Sequence, residues 1–313
     1  MDLHRTSIYN QMDYSRDSKE EKPSTDERLD SGLDSLKEEE YQAVAAEIRA
    51  LHLQSEPKQA AVTGELQHWT THITEDGDTL LHLAIIHEAK DYIKQILELS
   101  KNTEFPDKQN DQRQTPLHLA VITNQADVCE RLLVAGGDPT LVDCNGDTPL
   151  HIACRHGNLP CFSVITQNCL PQHLSTVMAA YNYHGQNCLH LASVHGFLSL
   201  VENLVDLGAD IDAKEQRSGR GALHLAVDQQ NLLLVQLLLR KGADPNLLTS
   251  AGHTPFHLTH GRDNELIRLE LYSLTKPGLR ELPDSEDDDS EEEEEEDEED
   301  DEVVYDDIQW NGH

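Results

Sequence analysis

Aromatic side chains are scarce in this sequence: two Trp, eight Tyr and four Phe among 313 residues. So few large rings cannot fill the interior of one big compact domain, whose centre needs bulky side chains. Positive charge is scarce too, with 24 Lys and Arg against 59 Asp and Glu and a formal net charge of −35. That balance excludes a nucleic-acid binder, because phosphate contacts need clustered cations. It equally excludes electrostatic attachment to an anionic membrane. The most apolar run, Leu232 to Leu239, is interrupted by Gln236 and is too short to span a bilayer. The six cysteines (Cys129, Cys144, Cys154, Cys161, Cys169 and Cys188) contain no C-x-x-C pair, which excludes the usual zinc and redox signatures. The first twenty residues are polar and mixed in charge, unlike a secretory leader. The expectation is a soluble, intracellular protein without a disulfide framework.

What charge there is falls unevenly. Residues 1–72 carry 15 acids and 8 bases, residues 73–277 carry 24 and 15, and residues 278–313 carry 20 and 1. The middle segment is organised by a repeat centred on histidine: Leu81-His82-Leu83-Ala84, Thr115-Pro116-Leu117-His118-Leu119-Ala120 and Thr148-Pro149-Leu150-His151-Ile152-Ala153. It continues with Cys188-Leu189-His190-Leu191-Ala192, Ala222-Leu223-His224-Leu225-Ala226 and Thr254-Pro255-Phe256-His257-Leu258-Thr259. Successive histidines lie 36, 33, 39, 34 and 33 residues apart. A period near 33 with T-P-L-H-x-A resembles the ankyrin repeat, and six matches in register make the signal specific.

The residues themselves explain the pattern. Thr suits a helix cap and Pro the first helical position. Leu, His and Ala then open a short inner helix, and a second helix follows with apolar residues at helical spacing, as in Leu200, Val201, Leu204 and Val205. Gly136-Gly137, Gly208 and Gly242 mark helix ends, and Asp138-Pro139, Asp210 and Asp244-Pro245 begin the connection to the next unit. The expected fold is all-α: a solenoid of six ankyrin repeats over residues 73–277 with β-hairpin fingers, sharing one elongated core. A disordered segment over residues 1–72 and an acidic segment over residues 278–313 flank it. The 39-residue spacing predicts a longer loop around Gln167 to His173.

Eighteen histidines raise the question of metal or acid–base chemistry. The repeat histidines come one per unit, too far apart for shared coordination at about 2 Å. The simpler reading has each imidazole tie its turn to a neighbouring unit by hydrogen bonds. Cys154 and His156 are two residues apart on a helix and do not face each other. No phosphate-cradling glycine loop and no nucleophile elbow is present. Neither catalytic residue, nor metal ligand, nor cofactor site is assigned, and the expectation is a protein that is not an enzyme.

The flanking segments carry regulatory patterns. Asp30-Ser31-Gly32-Leu33-Asp34-Ser35 is similar to the D-S-G-x-x-S phosphodegron read by the beta-TrCP ubiquitin ligase adaptor. Phosphates on Ser31 and Ser35 would each add about −1.5 to −2 of charge for a cationic pocket, and glycine permits the bend between them. Lys19 and Lys22, upstream, are candidate ubiquitin acceptors, and the competing reading of the stretch is an acidic linker. Val44, Ile48, Leu51 and Leu53 have the spacing of a leucine-rich signal for a nuclear export receptor, a spacing equally suited to a helix packed on the first repeat. Tyr41 follows three glutamates and is a weaker phosphorylation candidate. Between residues 281 and 307 there are 20 acids and no base. Pro283 with its surroundings resembles a PEST segment, and Ser285 and Ser290, each before three acids, resemble casein kinase 2 substrates. This stretch is either a solubilising tail or a polyanion competing for a partner's basic surface.

Degron, ankyrin array and acidic tail in that order resemble the I-kappa-B family over residues 27 to 307. The resemblance implies a cytoplasmic inhibitor of the NF-kappa-B/Rel dimer that shuttles through the nucleus. It would be marked by I-kappa-B kinase, recognised by beta-TrCP and destroyed by the proteasome. Glu75, Asp76 and Asp78 match the family's acidic group facing the basic nuclear-localisation segment of Rel. Glu286, Asp287, Asp288 and Asp289 match the acidic stretch opposing its DNA-binding surface. The chain departs from the family in its nearly pure acidic tail, in lysines that are not adjacent before the degron, and in His260 where a tryptophan is expected. Two other readings of the array stand beside this one: a nuclear I-kappa-B-like transcriptional cofactor, and an ankyrin adaptor or acidic chaperone for basic proteins such as histones. Replacing both Ser31 and Ser35 by Ala is expected to leave the protein present after stimulation. An immunoblot time course checks this, and loss at the unmodified rate would remove the degron.

Overall fold

The computed structural model describes residue 46 and residues 73–101 and 103–281. They divide into two compact units that meet in sequence at Ala209 and Asp210. In the first unit, the inner helices α1 (Leu80–Ile86), α3 (Pro116–Ile122), α5 (Pro149–His156) and α8 (Cys188–Val194) alternate with the outer helices α2 (Lys90–Leu99), α4 (Ala126–Val134), α6 (Leu159–Asn168) and α9 (Leu198–Asp206). A further helix, α7 (Pro171–Ala179), lies between α6 and α8. The second unit holds α10 (Ala222–Asp228), α11 (Leu232–Arg240) and α12 (Glu265–Leu274).

Local chemistry fixes where each inner helix begins. Thr115 and Thr148 accept the backbone N–H of His118 and His151 at 3.4 Å, and Pro116 and Pro149 occupy the first turn, where an N–H has no partner to lose. Asn187 performs the same capping in α8 through the His190 N–H at 3.0 Å. Inner helices pack on inner helices (α1 on α3, α3 on α5, α5 on α8) and outer on outer (α2 on α4, α4 on α6). Leu81, Ile85, Leu117, Leu150, Leu189, Ile93, Leu132 and Ile165 fill the space between the layers. A core this thin is filled by Leu, Ile, Val and Ala, which explains how so few aromatic residues suffice. Gly136, Gly208 and Gly242 follow α4, α9 and α11 with φ of 100, 94 and 97°, the left-handed stop that glycine adopts without penalty.

The fingers between repeats are turns, not strand ladders. Each closes with an outer backbone bond, from Thr74 N–H to Asp78 O, Asn110 to Gln114, Asp143 to Asp147 and Asn182 to Gln186, at 2.9–3.0 Å, and an inner one, from Gly77 N–H to Thr74 O, Arg113 to Asn110, Gly146 to Asp143 and Gly185 to Asn182, at 2.8–3.1 Å. The one pairing classed as a bridge among the described residues joins Ile73 and Thr79. Two other features differ from the sequence reading. The extra residues before Cys188 form helix α7 after a break at Cys169-Leu170, where a longer loop was expected; Pro171 starts the helix and Val177 and Met178 are buried beneath it. The last repeat opens with a 3-10 turn, His257–Thr259, in place of an α-helix.

The repeat histidines join neighbouring repeats. In His82, Nδ1 accepts from the Thr79 backbone N–H at 3.1 Å and lies 2.8 Å from Thr79 Oγ1, while Nε2 meets the Gln114 carbonyl of the next repeat at 3.0 Å. His118 reaches the Asp147 carbonyl, His151 that of Ala180 and His224 that of His253 in the same way, at 3.0–3.1 Å. A nitrogen that accepts from a backbone N–H carries no proton, so the Nε2–H tautomer follows in each case. Burial pushes His82, His118 and His224 down to about 4, although the carbonyl they bond pulls the other way. The unfolded imidazole, near 6.5, binds a proton that the folded one refuses. Stability is therefore full above pH 6.5 and is lost as pH falls toward 4, with each histidine worth on the order of 3 kcal/mol. Urea titrations at pH 7.5, 6 and 5 are expected to give successively lower midpoints. A flat profile would contradict neutral buried imidazoles.

Candidate partner-binding face

The finger tips are where side chains differ from repeat to repeat. In the first finger Gly77, at φ 80°, completes the turn, and a Cβ there would fall 2.5 Å from Asp111 Oδ1. Without one, the second finger closes on the first, and the Asp111 N–H donates to the Asp76 carbonyl at 3.1 Å. The same bond recurs from Cys144 to Gln112 and from Tyr183 to Asn145 at 2.9 Å, so the tips of the first unit form a regular backbone row.

Charge along that row is graded. Glu75 and Asp111 hold equivalent places in successive fingers and both are exposed; Cys144 and Tyr183 hold that place in the next two. Residues 73–89 contain no Lys or Arg, so Glu75 and Asp76 have no cation near them in sequence, whereas Asp111, in the next finger, has Lys108 and Arg113 within three residues, and Arg113 donates to the Tyr183 hydroxyl at 3.2 Å. Farther along the sequence charged residues disappear. Residues 156–201 include no Asp, Glu, Lys or Arg, and Leu170 and Tyr183 are each 63% exposed there. An acidic edge is thus followed by an uncharged stretch with exposed apolar side chains, a composition suited to protein contact.

Of the three acids matched to a partner in the first finger, the structure places two at the surface. Glu75 is exposed and Asp76 half-buried. Asp78 is turned inward and only 5% exposed, and it accepts the Asn110 amide at 2.9 Å. Its assignment as a partner contact is therefore corrected: it links one finger to the next. Asp147, at the same place two repeats on, does likewise with Asn182 at 2.8 Å and pairs with Arg155 at 2.6 Å. Burial pushes the Asp78 carboxyl up; the Asn110 amide opposes this, and Asp76 and Asp111 add to it. Asp111 went unread as a site, although it lies 36 residues after Glu75, the spacing between His82 and His118. Lys19, Lys22, Ser31, Ser35, Tyr41, Val44, Ile48, Leu51, Leu53, Ser285, Glu286, Asp287, Asp288, Asp289 and Ser290 lie outside the described residues. Among the described residues no group of three His, Cys, Asp or Glu side chains is placed to hold a metal ion, and no helix is long and apolar enough to cross a membrane.

Comparison with known proteins agrees with this architecture. A family model of ankyrin repeats in three copies matches residues 51–141 and 123–215, and a single ankyrin-repeat model matches residues 218–250. NF-kappa-B inhibitor alpha of Mus musculus is 49% identical over 277 residues, covering 88% of this chain and 87% of that protein. The Homo sapiens protein of that name is 48% identical, covering 88% and 86%. Among solved structures, the ankyrin repeat domain of Bcl-3, described as a unique member of the IkappaB protein family, aligns with a TM-score of 0.62 at 36% identity. That alignment covers 66% of this chain and 90% of the other.

The two roles assigned within the first finger predict opposite behaviour on mutation. Asp78→Ala is expected to lower unfolding free energy by roughly 1–3 kcal/mol, because the Asn110 amide loses its buried acceptor. Glu75→Gln is expected to change it by less than about 0.5 kcal/mol. Denaturant titration of the two variants measures both, and equal effects would refute the division.

Proposed function

Since the chain belongs to the I-kappa-B family of ankyrin-repeat proteins, we propose that it inhibits NF-kappa-B/Rel dimers by stoichiometric binding, without catalysis. The observation that carries the mechanism is the group of carboxylates Glu75, Asp76 and Asp111, which the backbone bond from Asp111 to Asp76 brings together on the first two fingers. Carboxylates held at fixed backbone positions attract a lysine- and arginine-rich segment and lose little freedom when it arrives. The segment they suit is the basic nuclear-localisation signal of a Rel subunit, and covering it holds the dimer in the cytoplasm. The uncharged stretch over residues 156–201 supplies apolar area for the body of the dimer, where charge would have to be desolvated.

The flanking segments complete the cycle. Phosphorylation of Ser31 and Ser35 by I-kappa-B kinase creates the mark for beta-TrCP, and ubiquitin on Lys19 or Lys22 directs the chain to the proteasome. The freed dimer then enters the nucleus. Newly made inhibitor follows it, and Glu286 to Asp289, with the acids after them, compete for the cationic DNA-binding surface. Val44, Ile48, Leu51 and Leu53 return the complex through the export receptor. Casein kinase 2 acts on Ser285 and Ser290 and adds charge to the tail.

Purified Rel dimer tests this reading in one titration series. The full chain should bind with an affinity that falls as salt rises. Glu75→Gln combined with Asp76→Asn and Asp111→Asn should weaken binding by roughly tenfold to a hundredfold and flatten the salt dependence. Deleting residues 281–307 should leave that binding nearly intact while slowing displacement of the dimer from DNA. Unchanged binding by the triple variant would sink the acidic edge, and full-rate displacement by the truncated chain would sink the role of the tail.

A further inference from the structure

Cysteine use in this chain is not random with respect to the repeats. Cys129 stands on outer helix α4 and Cys161 on the next outer helix, α6, and both are completely buried. Their sulfurs are 3.7 Å apart, with the Cys129 thiol donating to Cys161 Sγ. The geometry around Cys161 is fixed from both sides. Its backbone N–H donates to Asn158 Oδ1 at 3.1 Å in the first turn of α6, and Asn158 Nδ2 in turn donates to the Val121 carbonyl of the preceding repeat at 3.0 Å. One asparagine therefore positions the start of α6 against the second repeat and the Cys161 sulfur toward Cys129. Cys144 and Cys169 are the more accessible thiols, exposed and half-exposed respectively, and the Cys144 thiol donates to Gln112 Oε1 at 3.5 Å.

Two equal thiols packed together need not be chemically alike. Cys161 sits at the amino end of a helix, where the aligned backbone N–H groups favour an anion. The hydrogen bond received from Cys129 holds the Cys161 thiol below its ordinary range despite burial, and the same bond together with burial pushes Cys129 up. The arrangement has an attacking sulfur and a resolving sulfur.

We propose that Cys129 and Cys161 constitute an oxidisable dithiol site that takes hydroperoxides as its substrate and, on oxidation, covalently joins the second and third repeats. The Cys161 thiolate attacks one oxygen of hydrogen peroxide. The S–O bond forms, the O–O bond breaks, and the departing hydroxide takes a proton to leave as water. Cys129 then attacks the resulting sulfenic sulfur. The S–S bond forms, the S–O bond breaks, and a second water leaves carrying the Cys129 proton. Two thiols and one peroxide thus become one disulfide and two waters, with sulfur oxidised and peroxide oxygen reduced. The sulfurs need only close from 3.7 Å to roughly 2 Å. Because neither thiol touches solvent, the reaction waits on a local opening between α4 and α6, and the product then prevents that opening. The bond also closes a loop from residue 129 to residue 161, which restricts the unfolded chain.

The test uses the full chain, reduced and then exposed to hydrogen peroxide, denatured, alkylated and mapped by mass spectrometry. A linked peptide containing Cys129 and Cys161, lost on treatment with a thiol reductant and absent from Cys161→Ser, is the expected result. Amide hydrogen exchange in α4 and α6 of the unsubstituted protein should slow by roughly tenfold or more on oxidation, a comparison that does not depend on the variant folding. Full alkylation of Cys129 and Cys161 while Cys144 or Cys169 carries the oxidation would overturn the site. A linked peptide that leaves exchange in α4 and α6 unaltered would overturn the clamp.

Discussion

The fold rests on an imidazole used as a two-ended connector. A histidine in the first turn of an inner helix accepts at Nδ1 from the residue that caps its own helix and donates at Nε2 to a carbonyl of the following repeat. The first contact holds the start of a seven- or eight-residue helix, which is too short to persist alone. The second converts a local turn into a junction between repeats. Neither lysine nor glutamine substitutes for it, since neither presents a fixed acceptor and a fixed donor on opposite sides of one rigid ring. That requirement explains why the residue recurs at the same register although the helices around it vary.

Because backbone and histidine contacts set the spacing, side chains at the tips are free to differ from finger to finger. The exposed tip position reads Glu75, Asp111, Cys144 and Tyr183 along the first unit, while the tip backbone bonds remain the same from finger to finger. Asp78 and Asp147 illustrate the opposite case. They stand only three residues from Glu75 and Cys144, yet they face inward and serve the junction through Asn110 and Asn182. A carboxylate in such a finger is therefore structural or functional according to its register, and its charge alone decides neither.

Much of this was readable from spacing. Six histidines in register predicted the repeats, the helix starts and the glycine stops, because each depends on contacts within a few residues. The inserted helix α7 was not, since Pro171-Gln172-His173 reads as loop; the burial of Val177 and Met178 that stabilises it is tertiary. The left-handed turns between inner and outer helices were equally opaque. Gly157 and Gly196 advertise them and Asn124, at φ 56°, does so weakly, but Glu88 and Gln230 adopt the same conformation at φ 54 and 56° with no sequence signal. The inward turn of Asp78 needed Asn110, thirty-two residues away, and no local pattern reports that pairing.

Periodicity and its violations therefore carry different information. A residue that recurs at each repeat, like the histidine or the stop glycine, is explained by packing that every repeat shares. A residue that departs from its equivalents has no such explanation and must be accounted for singly. Glu75 and Asp111 depart together, in adjacent fingers and with one sign of charge, so their effects sum on the same side of the molecule. Cys129 and Cys161 depart together as well, one helix apart and facing each other. A solenoid makes such paired departures effective because equivalent positions in adjacent repeats, and positions one residue out of register as Cys129 and Cys161 are, become neighbours in space. Two substitutions a repeat apart thus create one site, whereas in a globular domain the same spacing would scatter them.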